Sequence, residues 1–221
     1  MIKQYSPKRR LAGIACLVVL VCGAPFVLAA DSGFRDKFDG KELKNEWRWN
    51  NPDPAITGEV DSANKEFVIT ASGSHNHWDF GALAPYLVME CPQGANWDFE
   101  ATVEQLNNVG GEQGALVVMF EEKDCFYFGP YTGKVLKLER SGKKDLGQAP
   151  LASKKVLLKI EKRGSQYTFF SKYAEADDWQ AVASSDEPDK NPFEIGFMWK
   201  SWSPDAEGKY AFSDVKVTSK K

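Results

Sequence analysis

The chain has 221 residues, 28 basic and 31 acidic, for a formal charge of −3. An apolar content of 43% and an aromatic content of 13% exclude an intrinsically disordered chain. Residues 1–30 hold four basic side chains (Lys3, Lys8, Arg9, Arg10) and no acid, so residues 31–221 carry 24 basic against 31 acidic groups, about −7. An acidic body without a Lys/Arg cluster gives nucleic acid nothing to grip, and an anionic membrane no more.

Residues 1–30 read as an export signal. Met1 to Arg10 form a positive start, Leu11 to Ala30 carry no charge, and small residues stand at Ala29 and Ala30 before Asp31. That is the three-part pattern of a secretory signal, with Val27-Leu28-Ala29 as an acceptable cleavage site. The expectation is a signal peptide over 1–30 and a secreted or periplasmic domain over 31–221. The alternative is an uncleaved N-terminal membrane anchor. Twenty uncharged residues just span a bilayer, although Gly23 and Pro25 interrupt a helix there.

Of the four cysteines, Cys16 and Cys22 fall in the signal, leaving Cys91 and Cys125. If Asp98–Leu106 and Ala115–Glu121 form a hairpin, these two thiols meet at one end of a sheet. An oxidising compartment then lets Cys91 and Cys125 form a disulfide. The other reading is two separate thiols, each packed as a small hydrophobe.

After Ala30 no stretch keeps a helical period for three turns, whereas several keep a period of two. Phe99, Ala101 and Val103 alternate with acids and Thr102, a strand with one dry face. Ala115–Phe120 and Phe126–Gly129 are apolar on both faces and belong in the middle of a sandwich. Gly164-Ser165 is a two-residue hairpin turn with glycine first, which pairs Ile160 with Phe169. In Phe193–Trp199 the residues Phe193, Ile195, Phe197 and Trp199 share a face. Phe212 and Val215 break parity, so a bulge is expected at Ser213-Asp214. Turn-rich spacers separate these runs, as at Asn51–Pro54, Asn108–Gly111, Ser184–Pro192 and Ser203–Gly208. About a dozen short strands at this spacing predict an all-β fold, a two-sheet antiparallel sandwich in one domain.

Particular segments carry a family likeness. The opening FRDKFDGKELKNEWRWNNPDP, with Phe38, Asp39, Trp47, Trp49, Asn51 and Pro52, resembles the start of a concanavalin A-like jelly roll. It is similar to the β-sandwich attached to family-43 β-xylosidases and to the domain-of-unknown-function 1349 group. The later LLKIEKRGSQYTFFSKYAEADDWQAV resembles their run of hydrophobic strand, glycine turn, aromatic strand and tryptophan strand, and IGFMWKSW followed by YAFSDVKV is similar to their closing two strands. The likeness implies a jelly-roll fold of the lectin/glucanase superfamily; it is a pattern of strands and aromatics, not a catalytic signature. Family-43 relatives use this sandwich beside a catalytic propeller, for which this chain has no room.

Three chemistries compete. For a poly- or oligosaccharide ligand, exposed rings stack on pyranose faces while polar neighbours orient the hydroxyls. The best candidates are the 72–80 cluster, with His75, Asn76, His77, Trp78 and Asp79, then Trp199 with Trp202, and Tyr131. Trp47, Trp49, Trp97 and Trp179 are read as packing residues. His75, His77 and Asp79 have metal-ligand spacing, but no third histidine exists and Gly81 and Ala82 stand where a cupin needs an acid. A structural calcium near Asp36, Asp39 and Asp214 is the remaining cofactor expectation, because first and last strands often pair. Hydrolysis on this fold uses Glu-x-Asp-x-x-Glu. The two partial matches, Glu59-Val60-Asp61 and Glu175-Ala176-Asp177, end at Asn64 and Gln180 instead of an acid. The expectation is therefore a monomeric, non-catalytic carbohydrate-binding protein. A glycoside hydrolase or polysaccharide lyase, and an envelope structural or adhesion protein, are the rivals.

Overall fold

The computed structural model describes residues 33–76, 83–141 and 144–220, and among them there is no helix. The first strands are β1 (Gly33–Asp36), β2 (Arg48–Asn50), β3 (Thr57–Asp61), β4 (Glu66–Ser72) and β5 (Tyr86–Glu90). Next come β6 (Asn96–Val109), β7 (Glu112–Glu121), β8 (Asp124–Tyr131), β9 (Val135–Arg140) and β10 (Lys144–Pro150). The last are β11 (Lys155–Arg163), β12 (Gln166–Lys172), β13 (Gln180–Asp186), β14 (Glu194–Ser201) and β15 (Glu207–Ser219). The expected export signal, and His77, Trp78 and Asp79, lie outside the described residues.

The strands form two antiparallel sheets. One runs β13-β12-β11-β6-β15-β4-β3, with β1 also on β15; the other runs β10-β9-β8-β7-β14-β5-β2. This is the expected jelly-roll sandwich. Alternation places Phe99, Val103, Leu158, Phe169 and Phe212 of the first sheet against Leu116, Val118, Phe126 and Phe197 of the second, all buried. Ring contacts tie the layers together: Phe197 stacks on Phe212 at 4.5 Å and Phe126 meets Phe169 edge-on at 5.1 Å. Such pairs contribute roughly 0.5–1.5 kcal/mol each beyond area burial.

Local expectations are met in detail. Ile160 pairs with Phe169 across the Gly164-Ser165 turn, and Gly164 takes the left-handed φ of +59° that this turn needs first. The β15 register shifts between Ser213 and Lys216, with Asp214 at φ +53°. The strands apolar on both sides are covered on both. Ala115, Val117, Met119, Cys125, Tyr127 and Met198 form a second buried cluster on the outer face of the seven-stranded sheet.

The disulfide is a correction. The strands of 98–106 and 115–121 are not an edge-to-edge hairpin, because β6 and β7 belong to opposite sheets. Cys91 therefore packs in the core between the sheets, Cys125 packs on the outer face of β8, and both thiols are free. Burial pushes them up to about 12 and about 11, so both remain protonated at neutral pH.

The first and last strands do pair, with Asp36 opposite Val215. The Asp36 carboxylate, however, is already engaged. Its Oδ1 accepts from the Phe38 amide (2.9 Å), its Oδ2 accepts from Trp47 Nε1 (2.8 Å), and Lys44 Nζ lies 3.3 Å away. Among the described residues no group of three or more His, Cys, Asp or Glu side chains is arranged to hold a metal ion.

One core-facing acid stands out. Glu112 is fully buried, and neither carboxyl oxygen has a hydrogen-bond partner among the described residues. Gly208 admits it: a Cβ there would collide with Glu112 Cγ and Trp199 Nε1. Burial raises the Glu112 carboxyl from 4.5 to about 7. The native state then holds an extra proton between those values. Its stability is full below pH 4.5 and falls as pH rises through 7. Glu112→Gln should flatten that slope, adding on the order of 1–3 kcal/mol at pH 8 and nothing at pH 4. Denaturant titrations at the two pH values measure this; an unchanged slope contradicts it.

Candidate functional site

The outer face of the seven-stranded sheet is apolar in the middle and polar towards both ends of β14, where Glu194 pairs with Arg48 at one end and Lys200 stands at the other. Strand alternation decides which side chains meet there. Register places Tyr127 beside Glu139, Gly129 beside Lys137, and Gln113 between Lys200 and Tyr131. Gly129 cannot carry a side chain, because a Cβ would strike the Gly114 carbonyl of the adjacent strand. The two-residue turn Thr132-Gly133, with φ of +52° and +65°, reverses the chain after Tyr131 and fixes where that ring emerges.

The polar groups form one connected chain. Lys200 Nζ is ion-paired with Glu139, whose other oxygen takes Lys137 Nζ at 2.9 Å. Lys137 also reaches Asp145 at 3.0 Å and lies over the Tyr131 ring, 4.7 Å from its centroid. At the other end, Lys200 lies over Tyr127 at 4.8 Å and over Trp202 at 5.4 Å. Gln113 Nε2 donates to the carbonyls of Gly129 (3.1 Å) and Lys137 (2.9 Å), locking the strands beneath.

Burial divides this chain into a hidden part and a presented part. The side chains of Lys200 and Glu139 are only 1% and 4% exposed, whereas Asp145 is 65% exposed and the Tyr131 and Trp202 rings are half-buried. Burial holds Lys200 below the ordinary lysine value, and the attraction of Glu139 offsets only part of that. For Lys137, hydrogen bonds to Glu139 and Asp145 outweigh a smaller degree of burial and raise it. Two charged groups without solvent thus aim two rings and a lysine at the surface.

The sequence candidates distribute unevenly over this arrangement. Tyr131 and Trp202 stand at the two ends of the polar chain. His75 exchanges backbone hydrogen bonds with Ser201 (2.8 and 3.1 Å), which pins the segment carrying His75 and Asn76 to the end of β14. Both side chains are buried, and His75 Nε2 faces Asp53 at 3.3 Å. The His75 backbone therefore braces the end of β14, and neither buried side chain is presented beside the two rings. Trp199 is a correction: it is fully buried in the core, because alternation that turns Met198 and Lys200 outward must turn Trp199 inward. Of the tryptophans read as packing, Trp47 and Trp97 are in the core and Trp49 leans on it. Trp179 is not part of it.

Sequence reasoning missed Lys200, Glu139, Lys137, Gln113 and Tyr127. The Tyr127-Gly129-Tyr131 alternation in β8 was a signal for one wall. Nothing local announces that Lys200 will meet a glutamate 61 positions earlier.

Removing Glu139 should leave the Lys200 ammonium buried without an anion. We expect Glu139→Gln to cost about 3 kcal/mol at pH 6, the scale for a broken buried pair. A lysine held below its ordinary value takes up fewer protons in the native state, so the deficit should shrink as pH rises toward 10. Urea denaturation of both proteins from pH 6 to 10 checks this; an equal loss at every pH contradicts it.

The description "beta xylosidase C-terminal Concanavalin A-like domain" fits residues 35–196, to which the family model of that name matches. Among solved structures, the family-43 glycoside hydrolase BlXynB of Bacillus licheniformis aligns with a TM-score of 0.69 and 16% identity. That alignment covers 84% of this chain and 39% of the hydrolase, so the chain spans about two-fifths of its length. A functionally unknown protein from Saccharomyces cerevisiae aligns with a TM-score of 0.64 and 13% identity, over 80% of this chain and 97% of that one. The carbohydrate-binding module CBM66 from Bacillus subtilis aligns with a TM-score of 0.51 and 15% identity, over 79% and 96%. No curated protein sequence matches the chain.

Proposed function

The chain belongs to the family of beta-xylosidase C-terminal concanavalin A-like domains, and from that premise we propose that it is an exported, monomeric protein that binds a poly- or oligosaccharide without cleaving it. The observation that carries the reading is the pair of half-buried rings, Tyr131 and Trp202, held apart by the ion-paired chain Lys137–Glu139–Lys200. Rigid rings present flat apolar faces to a pyranose, while Lys137 and Asp145 offer hydrogen bonds to its hydroxyls. Similarity in fold to a carbohydrate-binding module supports the ligand class. The charge pattern of residues 1–30 supports export to the periplasm or beyond.

One feature favours binding over hydrolysis and a second favours it over adhesion. Glycosidic cleavage needs two carboxyl groups placed across the scissile bond. Here Glu139 is buried between two lysines, and Asp145 shares one of them. The adhesion rival needs an apolar patch of several hundred Å². Among the described residues the large exposed apolar side chains are only Leu106, Val109 and Phe193.

A polysaccharide panel tests the proposal by affinity electrophoresis and reducing-sugar assay. Binding without release of reducing ends is expected. Trp202→Ala and Tyr131→Ala should each weaken it about five- to tenfold, the loss of roughly 1 kcal/mol per ring. No binding to any glycan, or steady release of reducing sugar, would overturn it.

A further inference from the structure

The eight-stranded sheet has its own outer face, and the β15 bulge opens a cleft in it. Ser213 pairs with Thr102 and Lys216 with Glu100, but the two residues between them are displaced, with Asp214 in the left-handed region. The result is a hollow of about 270 Å³ lined by Trp179, Arg35, Lys37, Thr102, Leu157 and Asp214, among others. That is just under the roughly 300 Å³ where small-molecule pockets begin, room for one compact ligand.

Trp179 stands half-buried at the edge of this cleft, just before β13, and belongs to neither apolar cluster. The ammonium groups of Lys172 and Lys159 lie 4.9 and 5.1 Å from its ring centroid and fix its position. Lys172 is itself held by the Glu175 carboxylate at 3.1 Å and the Glu175 carbonyl at 2.9 Å. An aromatic ring clamped this way at a cleft mouth is spare from the standpoint of the core.

The cleft's charge is opposite in sign to that of the surrounding domain. Its walls carry Arg35, Lys37, Lys172 and Lys216 against Glu100, Glu175 and Asp214, a net of +1 within a domain at about −7. Lys172 and Lys216 are paired with Glu175 and Glu100. Arg35 and Lys37 have no ion-pair partner among the described residues, and one acid, Asp214, remains to balance them. A guanidinium fork and a free ammonium beside a ring suit a ligand with a flat apolar face and a carboxylate.

We propose that this cleft is a second saccharide-binding site, selective for a sugar residue that carries a carboxylate. The saccharide part of the inference rests on the binding function above; the location and the charge preference do not. The two sites lie on opposite faces of the sandwich, so one molecule can hold two polysaccharide segments at once and gain avidity from a mixed polymer.

Calorimetric titration of the full chain tests this with oligogalacturonate, a glucuronate-substituted xylo-oligosaccharide and uncharged xylohexaose. At least one uronate ligand should bind, more weakly as salt is raised. Trp179→Ala and the double change Arg35→Gln/Lys37→Gln should each weaken that binding about tenfold, while Trp202→Ala alters it less than about twofold. All four positions reach the surface, and circular dichroism verifies that the variants fold. Failure of both uronate ligands to bind would overturn the second site, as would uronate binding indifferent to both changes. If both uronate ligands fail while uncharged-glycan binding still depends on Trp202, the second site falls and the first stands alone.

Discussion

A sheet that is dry on both faces must keep its outward side chains apolar or neutralise each charge among them. The seven-stranded sheet does both in sequence along its length. Its outer face sets Glu194 against Arg48 at one end, runs through Val88, Val117 and Met198, and ends with Lys200 against Glu139. Small residues at Ala115, Gly129 and Gly196 let the strands and the long side chains above them settle closely. A buried ion pair gives little net stability, but it has only one satisfactory geometry. That geometry places Tyr131 and Trp202.

In the proposed recognition, rigidity is what the arrangement contributes. Rings held before the ligand arrives lose little freedom on binding, so more of their contact energy appears as affinity. Here the orientation of each ring is set by a lysine, each lysine by Glu139, and the strands below by Gln113. Trp179 on the opposite sheet follows the same plan on a smaller scale, with Lys159 and Lys172 as its supports.

Much of the fold was legible because its signals are local. Period-two alternation, a glycine-first turn and one break in parity placed the β11–β12 register and the β15 bulge correctly. The same alternation, applied consistently to β14, would have assigned Trp199 to the core. The disulfide expectation failed for a different reason: a strand pair close in sequence can turn a corner between sheets as readily as form a hairpin. The site was legible only in its rings, since loop aromatics are conspicuous. Its charges come from β9, β10 and β14, and their meeting is fixed by sheet order, which no local pattern encodes. Trp179, expected to pack, belongs to neither apolar cluster. A tryptophan next to an edge strand looks like packing until the cleft beside it is visible.

Two faces of one sandwich thus carry two differently charged surfaces, and the central claim concerns the first. Backbone hydrogen exchange, measured with and without a saturating uncharged oligosaccharide, addresses it most directly. The account predicts added protection at residues 112–113, 131–137 and 200–202, and none in β12 or β13. Protection confined to the eight-stranded sheet, with those three segments unchanged, would contradict it.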